Sequence, residues 1–347
     1  MIRSGAAILV TGGAGYIGAH TCKALYEAGL NPIVYDNLSN GHRAAVRWGE
    51  LVVADIRDRS ALRSAMFNFS VAGVINFAGL IEVARSIERP DLFYDINVAG
   101  LACVLEAMHE AGVPRIVFSS SAAIYGQPRA NSKVSLLKET AAKSPISTYG
   151  DTKLTGERMI AAFSAAFGLS GVALRYFNAA GADEAGLIGE AHEPETHLIP
   201  LGIKAALGLG GPLTIFGADF PTPDGSCIRD YVHVADLASA HVAALNFPLA
   251  AGGFEAMNLG TGTGTSVFEV IAAIDSAVGR PTPYSIGRRR NGDPAQLVAA
   301  SERATRKLGW RPMHSSISEI VRSAVAWHRA PAYGAQGEDK ARLADIA

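Results

Sequence analysis

The run Ala6-Ala7-Ile8-Leu9-Val10-Thr11-Gly12-Gly13-Ala14-Gly15-Tyr16-Ile17-Gly18 passes from apolar residues into glycines and then into a helical pattern. An apolar run of this length, without alternation, reads as a strand buried on both faces. It is too short for the apolar core of a signal peptide. Glycines at Gly12, Gly15 and Gly18 let the chain turn tightly and bring the first N–H groups of a helix within reach of a pyrophosphate. A glycine motif alone also fits an ordinary strand-to-helix turn. Here the context is met: a strand before, a helix after, and Asp36 at the end of the next strand, in Tyr35-Asp36-Asn37. A carboxylate there accepts hydrogen bonds from an adenosine ribose and repels a 2′-phosphate. The pattern therefore predicts NAD rather than NADP.

Outward from this motif, short apolar runs at 8–11, 32–35, 51–53, 73–76, 115–119 and 171–175 alternate with helical patterns such as 16–28, 90–111 and 147–167. Such alternation predicts an α/β fold, a Rossmann doubly wound parallel sheet covered on both faces. The second half is richer in glycine and proline and reads as a smaller α/β substrate-binding lobe. The expected division is a dinucleotide-binding domain over 1–176, with about 231–262 returning to it, and a lobe over 177–230 and 263–330. A loose tail is expected over 331–347, and a polar surface excursion over 127–144.

Of the 347 residues, 49% are hydrophobic and 18% charged, as in a globular chain with a sizeable core. The formal net charge of -1 argues against a nucleic-acid partner. The three cysteines, Cys22, Cys103 and Cys227, lie far apart without a Cys-x-x-Cys spacing. Neither a zinc site nor a disulfide framework is expected, and a reducing, cytoplasmic setting is. No stretch approaches the roughly 18 apolar residues of a membrane span.

Chemistry gathers where the predicted strands end. Asp55-Ile56 follows the third strand, where the carboxylate faces an adenine amino group and the isoleucine its ring. Phe77-Ala78-Gly79 follows the fourth, and its small residues admit backbone contact with the cofactor. Tyr149 and Lys153 stand four residues apart on one predicted helix and share a face. Ser119-Ser120-Ser121 can deliver a hydroxyl to the same place. Tyr-x-x-x-Lys also arises by chance, with Tyr packing and Lys snorkelling; the serines and the dinucleotide motif favour a general base. Lowering a phenol from near 10 to about 7 takes about 4 kcal/mol, expected from an adjacent ammonium and a nicotinamide cation.

The strings Phe118-Ser119-Ser120-Ser121-Ala122-Ala123-Ile124-Tyr125-Gly126 and Tyr149-Gly150-Asp151-Thr152-Lys153 resemble the signatures of the extended short-chain dehydrogenase/reductase family, the NAD-dependent epimerases and dehydratases. The stretch 213–234, with its core Gly225-Ser226-Cys227-Ile228-Arg229-Asp230-Tyr231-Val232-His233, looks like the long signature of the UDP-glucose 4-epimerase group. So does Glu195-Thr196-His197-Leu198-Ile199-Pro200. The resemblance covers about residues 6–328. It implies interconversion of UDP-glucose and UDP-galactose through a transient 4-keto sugar, with Ser121, Tyr149 and Lys153 catalytic. It also implies cofactor contacts from Tyr16, Ile17, Asn37, Asn97, Ser119 and Phe177, and substrate contacts from Asn178, His197 and Leu198. Main-chain groups of Thr214, Ile215 and Phe216 are candidates for the uracil, Arg229 and Arg290 for the diphosphate, and Asp293 for the uridine ribose. His197 is read as a polar substrate contact, and no metal is expected. A homodimer is expected from the resemblance and from apolar positions on more than one face of 90–111 and 147–167.

Two positions depart from the pattern. Ile81 stands where many relatives carry a lysine for the cofactor pyrophosphate, and Arg85 is a candidate substitute. Leu297 stands at the position limiting the sugar pocket, so a 4-epimerase of UDP-pentoses, UDP-uronic acids or UDP-N-acetylhexosamines stays open. A non-catalytic NAD-sensing regulator is the reading from another class.

Overall fold

In the computed structural model, residues 2–127, 136–290, 293–314 and 316–334 are described. Most of the predicted tail and part of the predicted 127–144 excursion lie outside them. Seven strands form the main sheet: β1 Ala7–Thr11, β2 Asn31–Asp36, β3 Glu50–Val53, β4 Gly73–Asn76, β5 Arg115–Ser121, β6 Ser170–Tyr176 and β7 Phe254–Leu259. Their order is β7-β6-β5-β4-β1-β2-β3 and every pairing is parallel. Sequence order reverses between β1 and β4, which opens a crevice at the carboxyl ends of the strands, where ligands of such sheets bind.

The continuous apolar runs exist because both faces are covered. Leu9, Ile33, Tyr35, Val74, Ile116 and Phe118 turn to one side, under Leu62 and Met66 of helix Arg59–Asn68 and Leu101 and Leu105 of helix Gly100–Ala111. Ile8, Val10, Val34, Ile75, Val117 and Val172 turn to the other, under Cys22 and Leu25 of helix Tyr16–Glu27 and Leu237 and Ala240 of helix Val234–Leu245. Each fully buried aliphatic side chain contributes about 1.5–3 kcal/mol, so these two layers dominate the stability of the sheet. A separate core joins helices Leu198–Leu207, Val267–Val278 and Ile317–Arg329 through Ile203, Ile274 and Val321.

Two expectations need correction. The helical pattern over 90–111 is not one helix. It runs as helix Pro90–Phe93, a π-helical segment Tyr94–Ala99 and helix Gly100–Ala111. A side-chain ladder explains the break: Asn97 accepts from the Leu80 N–H at 2.7 Å and donates to the Leu80 carbonyl at 3.0 Å and to Thr152 Oγ1 at 3.1 Å. The extra residue of a π turn aims it there. The sheet also has one strand more than the sequence listing of runs: β7, which pairs with β6 after a long excursion. No helix among the described residues is long and apolar enough to cross a membrane.

Candidate active site

Glycine chemistry shapes the crevice first. Gly12 lies at φ +71°, and a Cβ there would stand 2.6 Å from the Ala78 nitrogen, so β1 and the loop after β4 approach as only glycine permits. Phe77 and Ala78 both donate their N–H to the Thr11 carbonyl, at 2.9 and 3.0 Å. Helix Tyr16–Glu27 begins here without a side-chain cap and without an acidic residue in its first turn. Helices Arg59–Asn68, Thr148–Phe167, Val267–Val278 and Ile317–Arg329 each have a side-chain cap from Asp58, Ser147, Ser266 or Ser316. This start is thus left with free N–H groups and a positive dipole end. That observation fits a dinucleotide pyrophosphate, and Gly15, Tyr16, Ile17 and Gly18 would hold it.

Asp36 closes the same loop. Its carboxylate is 8% exposed and accepts from the Ala14 N–H at 3.0 Å and the Leu38 N–H at 2.8 Å. Burial raises its pKa and these two donors draw it back. Each oxygen keeps a further lone pair for a ribose hydroxyl. Asn37 donates to Asp55 at 2.9 Å, and Arg57 forks onto Asp55 with two bonds of 2.8 Å. That fork holds Asp55 far below the usual carboxylate range, so it would meet an adenine amino group only as an anion already bound by Arg57. Ile56 is buried, with Gly100 closely packed on its side chain. Tyr16 donates its hydroxyl to the Gly181 carbonyl at 2.6 Å and so ties the loop to the second half of the chain. Arg85 reaches Glu82 at 3.3 Å and is half exposed.

Helix Thr148–Phe167 starts at Ser147, whose hydroxyl accepts from the Gly150 N–H at 3.1 Å. Its buried face carries Lys153, Leu154, Glu157 and Ile160, with Tyr149 half-buried one turn earlier. Lys153 is 3% exposed and donates to the Ser119 carbonyl at 2.8 Å, with its nitrogen 5.7 Å from the centre of the Tyr149 ring. Burial pulls its pKa from 10.5 to about 8. Burial raises Tyr149 above its ordinary value, and the Ser121 side chain, by hydrogen bonding, is what draws it back. In the nucleotide-free chain burial outweighs that bond, and the lowering expected from a nicotinamide cation requires bound NAD.

Beneath the serines lies a network that sequence reasoning missed. Ser120 donates to Glu157 at 2.6 Å, and Arg175 forks onto Glu157 at 2.8 and 2.6 Å. Arg175 also donates to the Tyr125 hydroxyl at 3.0 Å, which donates to Asn258 at 2.6 Å. Ser119 shares a short hydrogen bond with Tyr176. The signal was available: Glu157 follows Lys153 by one turn on the buried face, where a carboxylate requires a cation.

The candidate substrate residues gather on the other side. Arg229 donates to the carbonyls of Ile228 and Pro294 at 2.8 and 2.9 Å and lies 3.7 Å from Asp293. Arg290 reaches Asp293 at 3.1 Å and covers the ring of Phe216, 4.7 Å from its centre. Thr214, Ile215 and Phe216 lie in strand Leu213–Phe216, paired with strand Tyr284–Gly287. Asn178 pairs with Tyr231, and Leu297 with Arg229. Phe177 and Leu297 flank one small apolar cluster with Tyr125 and Leu154. Leu198 is the first residue of helix Leu198–Leu207, and His197 is its N-cap.

His197 is not alone, as its isolated reading assumed. His197 Nδ1 lies 2.6 Å from Glu190 Oε1 and 3.4 Å from Glu195 Oε1, while His192 Nδ1 lies 3.2 and 4.0 Å from the same two atoms. Burial would lower the His197 imidazole, but Glu190 and then Glu195 overcome it and raise its pKa to about 10.

The model of the NAD dependent epimerase/dehydratase family matches residues 8–260. The chain is 48% identical to a UDP-glucose 4-epimerase of Rhizobium leguminosarum bv. trifolii, over 94% of this chain and 98% of that one. Among solved structures it is similar to UDP-glucose 4-epimerase from Brucella ovis in complex with NAD, with a TM-score of 0.89 and 46% identity over 92% of this chain and 98% of that one. It is also similar to the Bifidobacterium longum enzyme in complex with NAD+ and UDP, with a TM-score of 0.88 and 35% identity over 94% and 98% of the two chains. The uncapped glycine turn, the Tyr149–Lys153 helix and these likenesses agree, and the chain belongs to the NAD dependent epimerase/dehydratase family.

Proposed function

We propose that this chain is a UDP-glucose 4-epimerase that binds NAD and interconverts UDP-glucose and UDP-galactose. The observation that carries the reading is the convergence of Tyr149, Lys153 and Ser121 beside an uncapped glycine turn, in a chain closely similar to named UDP-glucose 4-epimerases. When bound, NAD supplies the oxidant that takes a hydride from C4 of the sugar and returns it to the opposite face of the 4-keto sugar.

The chain's own residues do the rest. Tyr149 takes the proton of the 4-hydroxyl and returns it, and Ser121 holds both oxygens in line. The Lys153 ammonium and, once NAD is held, its nicotinamide cation would favour the phenolate against the opposing effect of burial. Lys153 is oriented by the Ser119 carbonyl. Ser121 ends β5, where the preceding Ser120 donates to Glu157, itself held by Arg175. Arg229 and Arg290, gathered by Asp293, would anchor the diphosphate while the hexose turns. A remote anchor keeps the ketone from escaping during the turn. Asp36 selects the unphosphorylated ribose.

The homodimer and a cytoplasmic setting belong to the same proposal. Tyr94 and Phe167, 44% and 49% exposed, offer apolar surface for a second copy. All three cysteines are free, as in a reducing compartment. Incubation with a panel of UDP-sugars, UDP-N-acetylhexosamines and UDP-pentoses included, with products read by NMR, tests the reading. UDP-galactose should form from UDP-glucose without added oxidant. Retained NAD with no turnover of any sugar would overturn it. Light scattering should give the mass of two chains.

A further inference from the structure

Glu190, His192, Glu195 and His197 fall within one turn-rich stretch, spaced Glu-x-His-x-x-Glu-x-His. Each offers one ligand atom, and all four atoms lie within 4.8 Å of one another. The carboxylate-to-imidazole distances of 2.6, 3.2, 3.4 and 4.0 Å bracket the edge of about 3.3 Å required by a tetrahedron with bonds of about 2.0–2.1 Å. The side chains of Glu190 and Glu195 are 5% and 3% exposed, so two carboxylates are withdrawn from water at one point. Such a pair needs positive charge close by. Glu195 Oε2 is buried without a hydrogen-bond partner, and buried His192 Nδ1, 3.2 Å from Glu190 Oε1, is not aligned for a good hydrogen bond to it.

The backbone behind them is fixed. Trp327 Nε1 donates to the Glu190 carbonyl at 2.9 Å, and the Tyr333 hydroxyl donates to the Gly189 carbonyl at 3.0 Å. His42 Nε2 reaches the Ala191 carbonyl at 2.7 Å. A held backbone that presents four donor atoms inward is the arrangement in which a metal orders little on binding.

We propose that Glu190, His192, Glu195 and His197 bind one divalent cation, with two imidazole nitrogens and two carboxylate oxygens as ligands. Mixed nitrogen and oxygen donors at tetrahedral spacing select Zn2+ over Mg2+, which prefers six oxygens. The ion holds His197 by Nδ1, leaving Nε2 as an N–H donor beside Leu198, where the substrate contact is expected. Its role is to fix that donor; it takes no part in the redox step. Metal binding is read without turnover, so the test stands or fails apart from the sugar chemistry.

Full-length protein with its nucleotide, freed of metal by a chelator, is titrated calorimetrically with Zn2+ and separately with Mg2+. One Zn2+ per chain should bind with a Kd below about 1 µM, and Mg2+ at least about 100-fold more weakly. His192→Asn and Glu195→Gln should each weaken Zn2+ by at least about 100-fold while circular dichroism and NAD content stay unchanged. X-ray absorption at the zinc edge of the wild-type protein decides the ligands even where a variant misfolds. It should give nitrogen and oxygen neighbours at about 2.0–2.1 Å and two imidazoles. No uptake at 1 µM Zn2+, equal binding of Mg2+, sulfur in the zinc shell, or unchanged affinity in folded variants would each overturn the proposal.

Discussion

Lys153 holds a charged nitrogen at 3% exposure with a single hydrogen bond, to the Ser119 carbonyl, and burial brings its pKa from 10.5 to about 8. Keeping that proton in the folded chain costs about 3 kcal/mol at any pH below 8, at about 1.36 kcal/mol for each pH unit between the two values. Lys153→Met fills the same volume without charge and gives up one hydrogen bond, worth about 1 kcal/mol. The nucleotide-free variant should therefore be about 2 kcal/mol more stable than wild type at pH 7, while its turnover collapses. The pH dependence is the sharper reading. Between pH 8 and 10.5 the unfolded wild-type chain keeps a proton that the folded chain has released, so its stability rises with pH. The advantage of the variant should shrink over that window. Urea unfolding of both nucleotide-free proteins from pH 7 to 9.5 measures the difference, in which groups common to both cancel. An advantage that is absent at pH 7, or constant with pH, would refute the account of Lys153 as a buried charge held for function.

Tyr149→Phe should lower turnover by about two to four orders of magnitude and leave NAD bound. The acidic limb of the wild-type pH profile should be missing from its residual activity. In nucleotide-free protein the Tyr149 phenol should ionise above its ordinary value, and binding of NAD+ should bring it down, as read from phenolate absorbance in wild type minus Tyr149→Phe. Glu157→Gln leaves the buried Arg175 guanidinium without its paired carboxylate and should cost about 3–5 kcal/mol, seen as a lower urea midpoint. Asp36→Ala should weaken NAD and bring NADP closer to it in affinity, measured by competition for the refilled site; an unchanged preference would remove Asp36 from the ribose.

The first half of the fold was legible because its strands are buried on both faces. Continuous runs such as Ile8-Leu9-Val10 and Val74-Ile75 admit no other reading between glycine turns, and the strand ends then place Asp36, Asp55 and Phe77 at one crevice. Tyr149 and Lys153 were legible because four residues on a helix share a face whatever packs against it. The π segment was not legible: a local pattern cannot reveal that Asn97 must meet Leu80 and Thr152. Strand β7 was hidden because Phe254-Glu255-Ala256 is only half-buried at the sheet edge. The Glu190 to His197 cluster was invisible to a reading that weighed His197 singly, and the raised phenol because the burial of Tyr149 and Lys153 is tertiary.

The pairing of β7 with β6 has a consequence for biosynthesis. During translation, β6 is complete at Tyr176, yet its free edge stays bare until the ribosome has released Leu259. In that interval the nascent chain presents the unpaired N–H and C=O row of a strand holding Val172 and Leu174, a template for pairing with another nascent chain. A fragment ending at 176 would keep that edge permanently and should aggregate, whereas one extended past 259 can close it. The sheet is completed only after the stretch with the proposed substrate contacts of Asn178 and Arg229 has been made, so a polypeptide stalled inside that stretch lacks the edge strand of its sheet.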